Sequence, residues 1–166
     1  MSKPVEEYEF WKKRIKDAGA QLHQSVFKCS PTAWKSIEIS HLSAIDKYIQ
    51  KNAKVLDAAC GYGRLAPVFK NYTGVDFSPD FVKIAKKISP KKQFLQADLR
   101  KLPFEDDTYD WAVCSSIKRM IEENCGEEEW KLMEKELLRV SKKILILEYT
   151  EAINTLDYPG EVIERS

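Results

Sequence analysis

The chain has 166 residues, 43% of them hydrophobic and 32% charged, and its formal net charge is +1. This length and balance indicate one ordinary globular domain with a core of its own. A net charge so near zero argues against nucleic acid or an acidic membrane surface as a partner. No apolar run approaches the roughly 18 residues of a membrane span. The charged start of the chain also lacks the apolar core of a signal peptide.

The cysteines and histidines do not indicate a metal site. Cys29, Cys60, Cys114 and Cys125 contain no Cys-x-x-Cys pair, and the two histidines are not spaced with them as zinc ligands. We therefore expect reduced thiols, no bound metal and a cytoplasmic protein.

Residues 1–52 are predicted to form a helical cap. Within residues 5 to 18 the helical spacing places three apolar side chains on one face, and Gly19 is the predicted stop. These side chains are Tyr8, Trp11 and Ile15. Residues 20 to 29 look irregular. Ser30 and Pro31 then provide an N-cap and a first-turn proline, which predict a long amphipathic helix.

The pattern changes after residue 53 to alternating strands and helices. Strands are predicted at Val55–Asp57, Tyr72–Asp76, Gln93–Gln96, Thr108–Cys114 and Ile144–Leu147. Helices are predicted at Leu65–Lys70, after the Ser78 cap, and over residues 127 to 140. The connection after the fourth strand looks short. This rhythm predicts an α/β fold with a mainly parallel sheet. We expect a single domain, with residues 53–149 as its core and residues 150–166 as a short tail.

Three consecutive strands end in an acid, at Asp57, Asp76 and Asp98. Ligands of open α/β sheets bind outside the carboxyl ends of the strands, so these acids locate the predicted site. Asp76 can accept both hydroxyls of a ribose, and Phe77 beside it can lie on a purine face. Asp98 can accept a hydrogen bond from an exocyclic adenine amine, and Asp57 can take an ammonium group or an ordered water.

The turn between the first strand and the next helix contains Gly61 and Gly63, which would let a ligand approach the backbone closely. Residues 61–66 also fit the dinucleotide fingerprint G-x-G-x-x-A. Asp57, however, would oppose a pyrophosphate at this turn. Asp76 follows Gly61 by about 15 residues, whereas the fingerprint needs roughly 20. Nicotinamide binding is therefore disfavoured.

Four stretches together resemble the class I S-adenosylmethionine-dependent methyltransferases. Residues 55–64 (VLDAACGYGR) resemble their first motif, and residues 74–78 (GVDFS) resemble their ribose-binding motif. Residues 96–99 (QADL) and 102–110 (LPFEDDTYD) resemble the adenine loop and the start of the fourth strand. One departure is Ala59, where the family usually has a glycine; we expect little effect from it.

The resemblance implies a Rossmann-like, three-layer α/β/α fold with S-adenosylmethionine as cofactor and S-adenosylhomocysteine as product. It implies cofactor contacts from Asp57, Ala59, Cys60, Gly61, Gly63, Asp76, Phe77, Ser78, Ala97, Asp98, Leu99 and Ser115. It also implies in-line methyl transfer, here to an acceptor that we expect to be a small molecule. Residues 114–117 (CSSI) stand where enzymes that methylate nucleic-acid amines carry an Asn- or Asp-Pro-Pro-aromatic tetrad. This argues against exocyclic-amine chemistry on DNA and leaves a protein or RNA acceptor as an open alternative, although a nucleic-acid partner is not expected.

No catalytic residue can be assigned, because methyl transfer from a sulfonium needs a base only when the acceptor must lose a proton. Four polar residues near the edges of the predicted site could be considered for a catalytic role, but each is expected at the surface: His23, Lys28, His41 and Lys118. The candidates for a lid or for acceptor contacts are Tyr8, Trp11, Arg14, Ser116 and Lys118. The alternative function is a cofactor-binding protein without transfer activity, such as a regulatory or partner subunit.

The carboxyl end departs from the family, whose sheet continues beyond the fifth strand as a hairpin of two more strands. Here Glu161–Ile163 can form only one short strand, so the hairpin would be incomplete. The fifth strand is continuously apolar, and exposed apolar edges are normally covered. We expect either the tail to cover this edge or a second copy of the chain to meet it as a homodimer.

Overall fold

A computed structural model describes residues 3–19, 21–26, 29–148 and 160–166. Its helices are α1 (Lys3–Ala18), α2 (His23–Val26), α3 (Pro31–Tyr48), α4 (Pro79–Ile88), α5 (Lys118–Cys125) and α6 (Glu127–Val140). Its strands are β1 (Lys54–Ala58), β2 (Asn71–Asp76), β3 (Gln93–Gln96), β4 (Tyr109–Ser115), β5 (Ser141–Leu147) and β6 (Glu161–Glu164). None of the described helices is both long and apolar enough to cross a membrane.

The six strands form one sheet in the order β3-β2-β1-β4-β5-β6. All neighbouring pairs are parallel except β5 and β6, which are antiparallel. Alternate strand residues face two separate cores. Val55, Val113 and Leu145 pack with α3 and α4 on one face. Leu56, Ala112 and Ile144 pack with α5 and α6 on the other. The predicted three-layer fold with a mainly parallel sheet is confirmed.

The helix ends follow the capping residues of the sequence. Ser30 Oγ accepts a hydrogen bond from the N–H of Ala33 at the start of α3, and Ser78 Oγ accepts one from Phe81 at the start of α4. Helix α1 ends at Ala18 and is followed by Gly19, whose φ of 54° lies in the left-handed region that favours glycine. The predictions of α1, α3, α4 and α6 are confirmed, with bounds within a few residues.

The helix predicted at Leu65–Lys70 is wrong. Residues 61–68 form consecutive turns, with hydrogen bonds from Gly63 to Cys60, from Ala66 to Gly63 and from Val68 to Leu65. Each of these bonds spans three residues, as in a 3₁₀ turn. Pro67 does not by itself exclude a helix that begins at Leu65, because the first N–H groups of a helix have no partner within it, but none of the hydrogen bonds among residues 61–68 spans four residues. The glycine turn therefore leads into turns that pack against the sheet.

Two short helices were also missed. Residues 20 to 29 contain α2, and the connection after β4 contains α5. Ile121 of α5 is buried in the core on the sheet face that α5 and α6 cover. Helices of four and eight residues carry too little periodicity to stand out in a sequence.

The prediction that the tail covers the edge of the fifth strand is confirmed. Strand β6 pairs with β5, and the paired residues run from Lys143 and Glu164 to Ile146 and Glu161. Lys118 Nζ, at the start of α5, also contacts Glu161 Oε2 at 3.1 Å. With β4 on one side and β6 on the other, β5 has no open edge. A homodimer through β5 would therefore require β6 to leave the sheet. The division into cap, core and tail stays a prediction.

Candidate functional site

A cavity of about 200 Å³ opens at the carboxyl ends of the central strands. Its walls include many of the residues singled out from the sequence: Trp11, Ala59, Gly61, Asp76, Phe77, Asp98, Leu99, Ser115 and Ser116. Residues that the sequence did not indicate complete the walls: Phe81, Arg100, Ile117, Met120, Ile121, Cys125, Glu129 and Met133. The cavity lies where the strand-end rule predicted it.

Asp76 lies at the end of β2 and is 8% exposed. Its Oδ2 accepts the N–H of Gly61 at 2.8 Å, and its Oδ1 accepts the N–H of Ser78 at 2.9 Å. The carboxylate therefore joins the turn after β1 to the start of α4. Each carboxylate oxygen has a further lone pair, so Asp76 can still accept hydroxyl groups from a ligand in the cavity.

Asp98 follows β3 and is already bound within the protein. Arg100 Nε lies 2.9 Å from Oδ1 and 3.1 Å from Oδ2 of Asp98, and Arg100 Nη1 lies 2.7 Å from Glu129 Oε1 on α6. The hydrogen bond from Arg100 lowers the pKa of Asp98, so this group is ionised at neutral pH. An adenine amine would have to share Asp98 with Arg100. The sequence prediction did not foresee this partner.

Two of the three positive-φ residues in the turn after β1 line the main cavity. Gly61 has a φ of 54° and Ala59 a φ of 60°. An L-residue in this region is strained by roughly 1–2 kcal/mol. Alanine in place of the family's glycine is therefore a costlier change than the sequence suggested.

Gly63 lines neither of the two cavities of the site, and its contact with the cofactor stays a prediction. A Cβ at Gly63 would lie 2.9 Å from the Phe94 ring and 3.3 Å from Ala85, at a φ of 80°. The residue permits close packing of the turn on the core.

A second, smaller cavity of about 30 Å³ adjoins the first. The two share Ala59, Gly61 and Ser115 as walls, and the smaller one is also lined by Asp57, Cys60 and Arg64. It therefore lies toward β1 and β4, on the other side of Asp76 from the Asp98 wall.

Asp57, in β1, is 2% exposed, and its Oδ2 accepts the Tyr72 hydroxyl at 2.7 Å. Burial raises the pKa of Asp57 to about 7, although the Tyr72 hydrogen bond and the charge of Arg64 oppose the rise. Near neutral pH this group can exist in either protonation state. A ligand cation in the small cavity would favour the carboxylate.

Arg64 and His41 form a polar cluster that the sequence analysis did not identify as part of the site. Arg64 Nη2 lies 3.1 Å from both His41 Nδ1 and Ser115 Oγ. The expectation of a surface position for His41 is wrong, since it is 1% exposed. Burial, followed by the charge of Arg64, lowers the pKa of His41 to about 3. The only sequence signal for Arg64 is its position directly after the glycine turn.

Several other predicted residues lie outside the main cavity. Ser78, 1% exposed, caps α4, and the N–H of Ala97 donates to the Asp76 carbonyl. Cys60 is buried, and burial raises the pKa of its thiol. Lys118 pairs with Glu161 of β6. Cys60 lines the smaller cavity, and direct cofactor contacts from Ser78 and Ala97 stay a prediction.

The lid candidates on α1 divide into two groups. The Trp11 ring lies 5.8 Å from that of Phe81 in α4 and lines the main cavity. Arg14 does not line it, and its Nε donates to the Ser25 carbonyl at 2.8 Å. Tyr8 lies in α1, but its side chain is outside what the structure describes, and so is Lys28. Among the described side chains of α1, Trp11 is placed to contact a ligand.

Ser116 follows β4 at a φ of 57°, a strained backbone for serine. Its Oγ is buried and has no hydrogen-bond partner among the described residues, and the residue lines the main cavity. Within the described residues, no group of three or more His, Cys, Asp or Glu side chains could hold a metal ion.

Comparison with known proteins places this site in a family. The model of a methyltransferase domain matches residues 56–144. The ubiquinone/menaquinone biosynthesis C-methyltransferase UbiE of Campylobacter jejuni is 23% identical over 131 residues, covering 72% of this chain and 53% of that protein. This chain thus spans about half the length of such relatives.

Solved structures share the fold. The PH0226 protein of Pyrococcus horikoshii is 30% identical, with a TM-score of 0.59, over 70% of this chain and 58% of that one. A possible histamine N-methyltransferase of Thermotoga maritima has a TM-score of 0.61 at 18% identity, over 84% of this chain and 60% of that one, which shows likeness of fold. The family match covers more than half of the chain and contains the cavity's strand ends. The chain therefore belongs to the methyltransferase domain family, and its resemblance to the class I S-adenosylmethionine-dependent methyltransferases is confirmed.

Proposed function

We propose that this protein binds S-adenosylmethionine and transfers its methyl group to a small-molecule acceptor. The observation that carries the proposal is the Asp76 carboxylate, which lines the main cavity at the end of β2 and is held by two backbone N–H groups. A carboxylate fixed in this way suits the paired hydroxyls of a ribose. Phe77 and Leu99 in the same cavity offer apolar surface to an adenine ring.

The residues of the chain would bind the cofactor and orient it. Bound S-adenosylmethionine supplies a methyl group that its sulfonium already activates. Asp76 would hold the ribose, Asp98 the adenine amine, and Asp57 the ammonium group of the methionine part. Trp11 would cover the cavity and exclude water. We assign no catalytic base, because orientation alone can supply most of the acceleration of an in-line transfer.

A small-molecule acceptor is supported by the relative from Campylobacter, whose name describes C-methylation in ubiquinone and menaquinone biosynthesis. Ser116 is the residue we propose for acceptor contact, since its buried Oγ has no partner in the described part of the chain. Lys118 is a weaker candidate than the sequence suggested, because Glu161 already binds its ammonium group. We do not propose a nucleic-acid acceptor for a chain of net charge +1.

We also propose a cytoplasmic location. It is supported by the four cysteines, which are all free thiols in the structure. Free thiols are typical of proteins in a reducing compartment.

Calorimetric titration with S-adenosylhomocysteine tests the cofactor site. We expect the wild type to bind and Asp76→Ala to bind about 10- to 100-fold more weakly, because hydrogen bonds to a charged acceptor are lost. Asp46→Ala, on an exposed face of α3, is the matched control and should bind like the wild type. Circular dichroism would establish the folded fraction of each variant. Equal affinities of Asp76→Ala and wild type would contradict the ribose assignment.

Binding without transfer is the alternative function. It is favoured by one observation: no histidine or lysine is among the described residues that line the main cavity. Incubation with methyl-labelled S-adenosylmethionine and a metabolite extract separates the two functions. Label transferred to a small molecule supports the methyltransferase, whereas cofactor binding with no transfer across fractionated extracts supports the alternative.

A further inference from the structure

The net charge of +1 is an average over an uneven distribution. Residues 79–92, which comprise α4 and the segment after it, contain five lysines and one acid. Residues 118–140, which comprise α5 and α6, contain seven glutamates against five lysines and arginines. Because salt screens charges that lie farther apart than a Debye length, the local balance decides which partner a surface attracts. A nearly neutral chain can therefore still have a basic surface.

A groove between α1 and α4 brings the lysines of both helices together. Its volume is about 540 Å³, and its charged walls are four lysines and two acids: Lys12, Lys13, Lys16, Lys83, Glu9 and Asp80. Lys87 follows Lys83 by one helical turn and extends the same stripe of α4, with Lys86 beside it. We call the surface formed by these six lysines the basic face: Lys12, Lys13, Lys16, Lys83, Lys86 and Lys87.

Most of the charge on the basic face is not neutralised by contact with an acid. Lys12 lies 4.0 Å from Glu9. The other five lysines are exposed, and none of them takes part in an ion pair among the described residues. Lys131 of α6, by comparison, lies 2.7 Å from Glu128. The basic face thus presents a cationic surface to solvent.

Apolar side chains lie among these lysines. Phe10 is 50% exposed and precedes Lys13 by three residues, so the two are neighbours on the outer side of α1. Ile84 lines the groove, and Ile88, one turn further along α4, is 51% exposed. Exposed lysines with apolar residues between them are typical of protein surfaces that bind in the interface of a bilayer. There the apolar groups enter the headgroup region while the lysine ammonium groups stay in water.

The composition of the groove favours a bilayer over other anionic partners. No arginine and no aromatic side chain is among the described residues that line it. Single phosphate groups are usually bound by arginine forks or by converging backbone N–H groups, and nucleic acids by stacking on aromatic rings as well as by charge. Lysines act as flexible point charges. They suit a surface of lipid headgroups, which can rearrange around them.

We propose that the basic face binds the surface of a lipid bilayer that carries anionic headgroups. Helix α1 also supplies Trp11, which lines the main cavity and packs on Phe81 of α4, so docking would bring the cover of that cavity to the bilayer. A methyl acceptor dissolved in the bilayer would then lie close to the cavity. This use of the docking rests on the proposed function, whereas the docking itself does not.

Flotation with lipid vesicles tests the docking. Vesicles of phosphatidylcholine alone would be compared with vesicles that also contain roughly 30% phosphatidylglycerol, at about 0.1 M and about 0.5 M salt. At the lower salt we expect the wild type to bind the anionic vesicles about 10- to 100-fold more tightly than the neutral ones. Most of this preference should be lost at the higher salt, because exposed charges are screened.

Two matched triple variants locate the charges responsible. The combination of Lys13→Gln, Lys83→Gln and Lys87→Gln should reduce the preference for anionic vesicles to within about 3-fold. The control combines Lys47→Gln, Lys51→Gln and Lys135→Gln, which remove three exposed lysines from other parts of the surface, and it should keep the preference. The two variants have the same net charge, and circular dichroism would establish that both are folded.

A second pair of variants tests the apolar contribution. Phe10→Ala should weaken binding to the anionic vesicles by roughly 3- to 10-fold, because an aromatic ring no longer enters the interface. Leu132→Ala is the matched control, since Leu132 is 55% exposed on α6, away from the basic face. It should bind like the wild type.

The outcomes are separable. A wild type that binds neutral and anionic vesicles equally, or neither, overturns the proposal without any need for a variant. Equal losses in the two triple variants also overturn it, because net charge and not the basic face would then be responsible. Tighter binding to a single-stranded RNA of about 20 nucleotides than to the vesicles would overturn the assignment to lipid in favour of nucleic acid. Vesicle binding requires no cofactor, so a protein that docks but does not bind S-adenosylhomocysteine would contradict only the proposed function.

Discussion

Asp57 is the residue at which folding and ligand binding make opposite demands. Its carboxyl is buried beside the Tyr72 hydroxyl, and burial raises its pKa from 3.8 to about 7. Because the folded protein holds this proton more tightly than the unfolded chain, the contribution of Asp57 to stability is fully present below pH 3.8. That contribution is lost as the pH rises through about 7. At higher pH the protein keeps a buried charge that Tyr72 and Arg64 offset only in part, and a ligand cation would offset it further.

Asp57→Asn should therefore change how stability depends on pH. Asparagine does not titrate and keeps an acceptor for Tyr72. As the pH rises from about 4 to about 8, the unfolding free energy of the wild type should fall relative to that of the variant. The fall should be at most about 4 kcal/mol. Urea unfolding of both proteins at the two pH values measures this difference. The exposed Asp46→Asn serves as control, and an unchanged difference between wild type and Asp57→Asn would contradict the raised pKa.

Residue positions at the site could be predicted better than residue contacts. Asp57, Asp76 and Asp98 were found because parallel strands bring their carboxyl ends to one edge. Their partners could not be inferred. Arg64 and His41 are 23 residues apart, and their contact depends on how α3 packs across the sheet. No local pattern contains that information.

Among the elements, helices with strong local signals were predicted correctly. α3 and α4 have serine caps followed by proline, and α6 has three acids in its first turn. The turns after β1 were mistaken for a helix, because their apolar residues fit its spacing, but their hydrogen bonds span three residues. Local pattern alone does not distinguish so short a helix from consecutive turns.

α1 is the element whose predicted role as a cover can be tested alone. Trp11 lines the main cavity and packs on Phe81, whereas its neighbour Phe10 is 50% exposed. We expect Trp11→Ala to release S-adenosylhomocysteine roughly 5- to 20-fold faster, because an aromatic contact and a barrier to exit are lost. Phe10→Ala is the matched control. Surface plasmon resonance gives both dissociation rates, and equal rates would show that α1 does not retain the ligand.

At the scale of the molecule, β6 is what completes the sheet. Val162 packs on one core and Ile163 on the other, opposite Leu145 and Ile144 of β5. The sequence predicted one short strand at Glu161–Ile163, and the need to cover β5 followed from the apolar run of β5. The antiparallel register could not be predicted, since it depends on residues far apart in the chain.

Loss of β6 packing should therefore make the protein self-associate. We expect the wild type to be a monomer of 19.2 kDa. The double variant Val162→Asp, Ile163→Asp should gain mass with concentration, because β5 would become an open apolar edge. The exchange Val162→Ile, Ile163→Val keeps apolar, β-branched side chains and is the control. Light scattering measures the masses, and a strictly monomeric Asp variant would show that β6 does not protect β5.

The hydrogen bonds of Asp76 have a consequence for natural variation. The same carboxylate that would hold a ribose joins the turn after β1 to the start of α4 through two backbone N–H groups. The ordering of these two loops is therefore achieved during folding and adds little to the entropic cost of binding. Alleles altered at Asp76 should consequently first reduce the amount of folded protein in the cell, and a defect in cofactor affinity would be visible only in the fraction that survives.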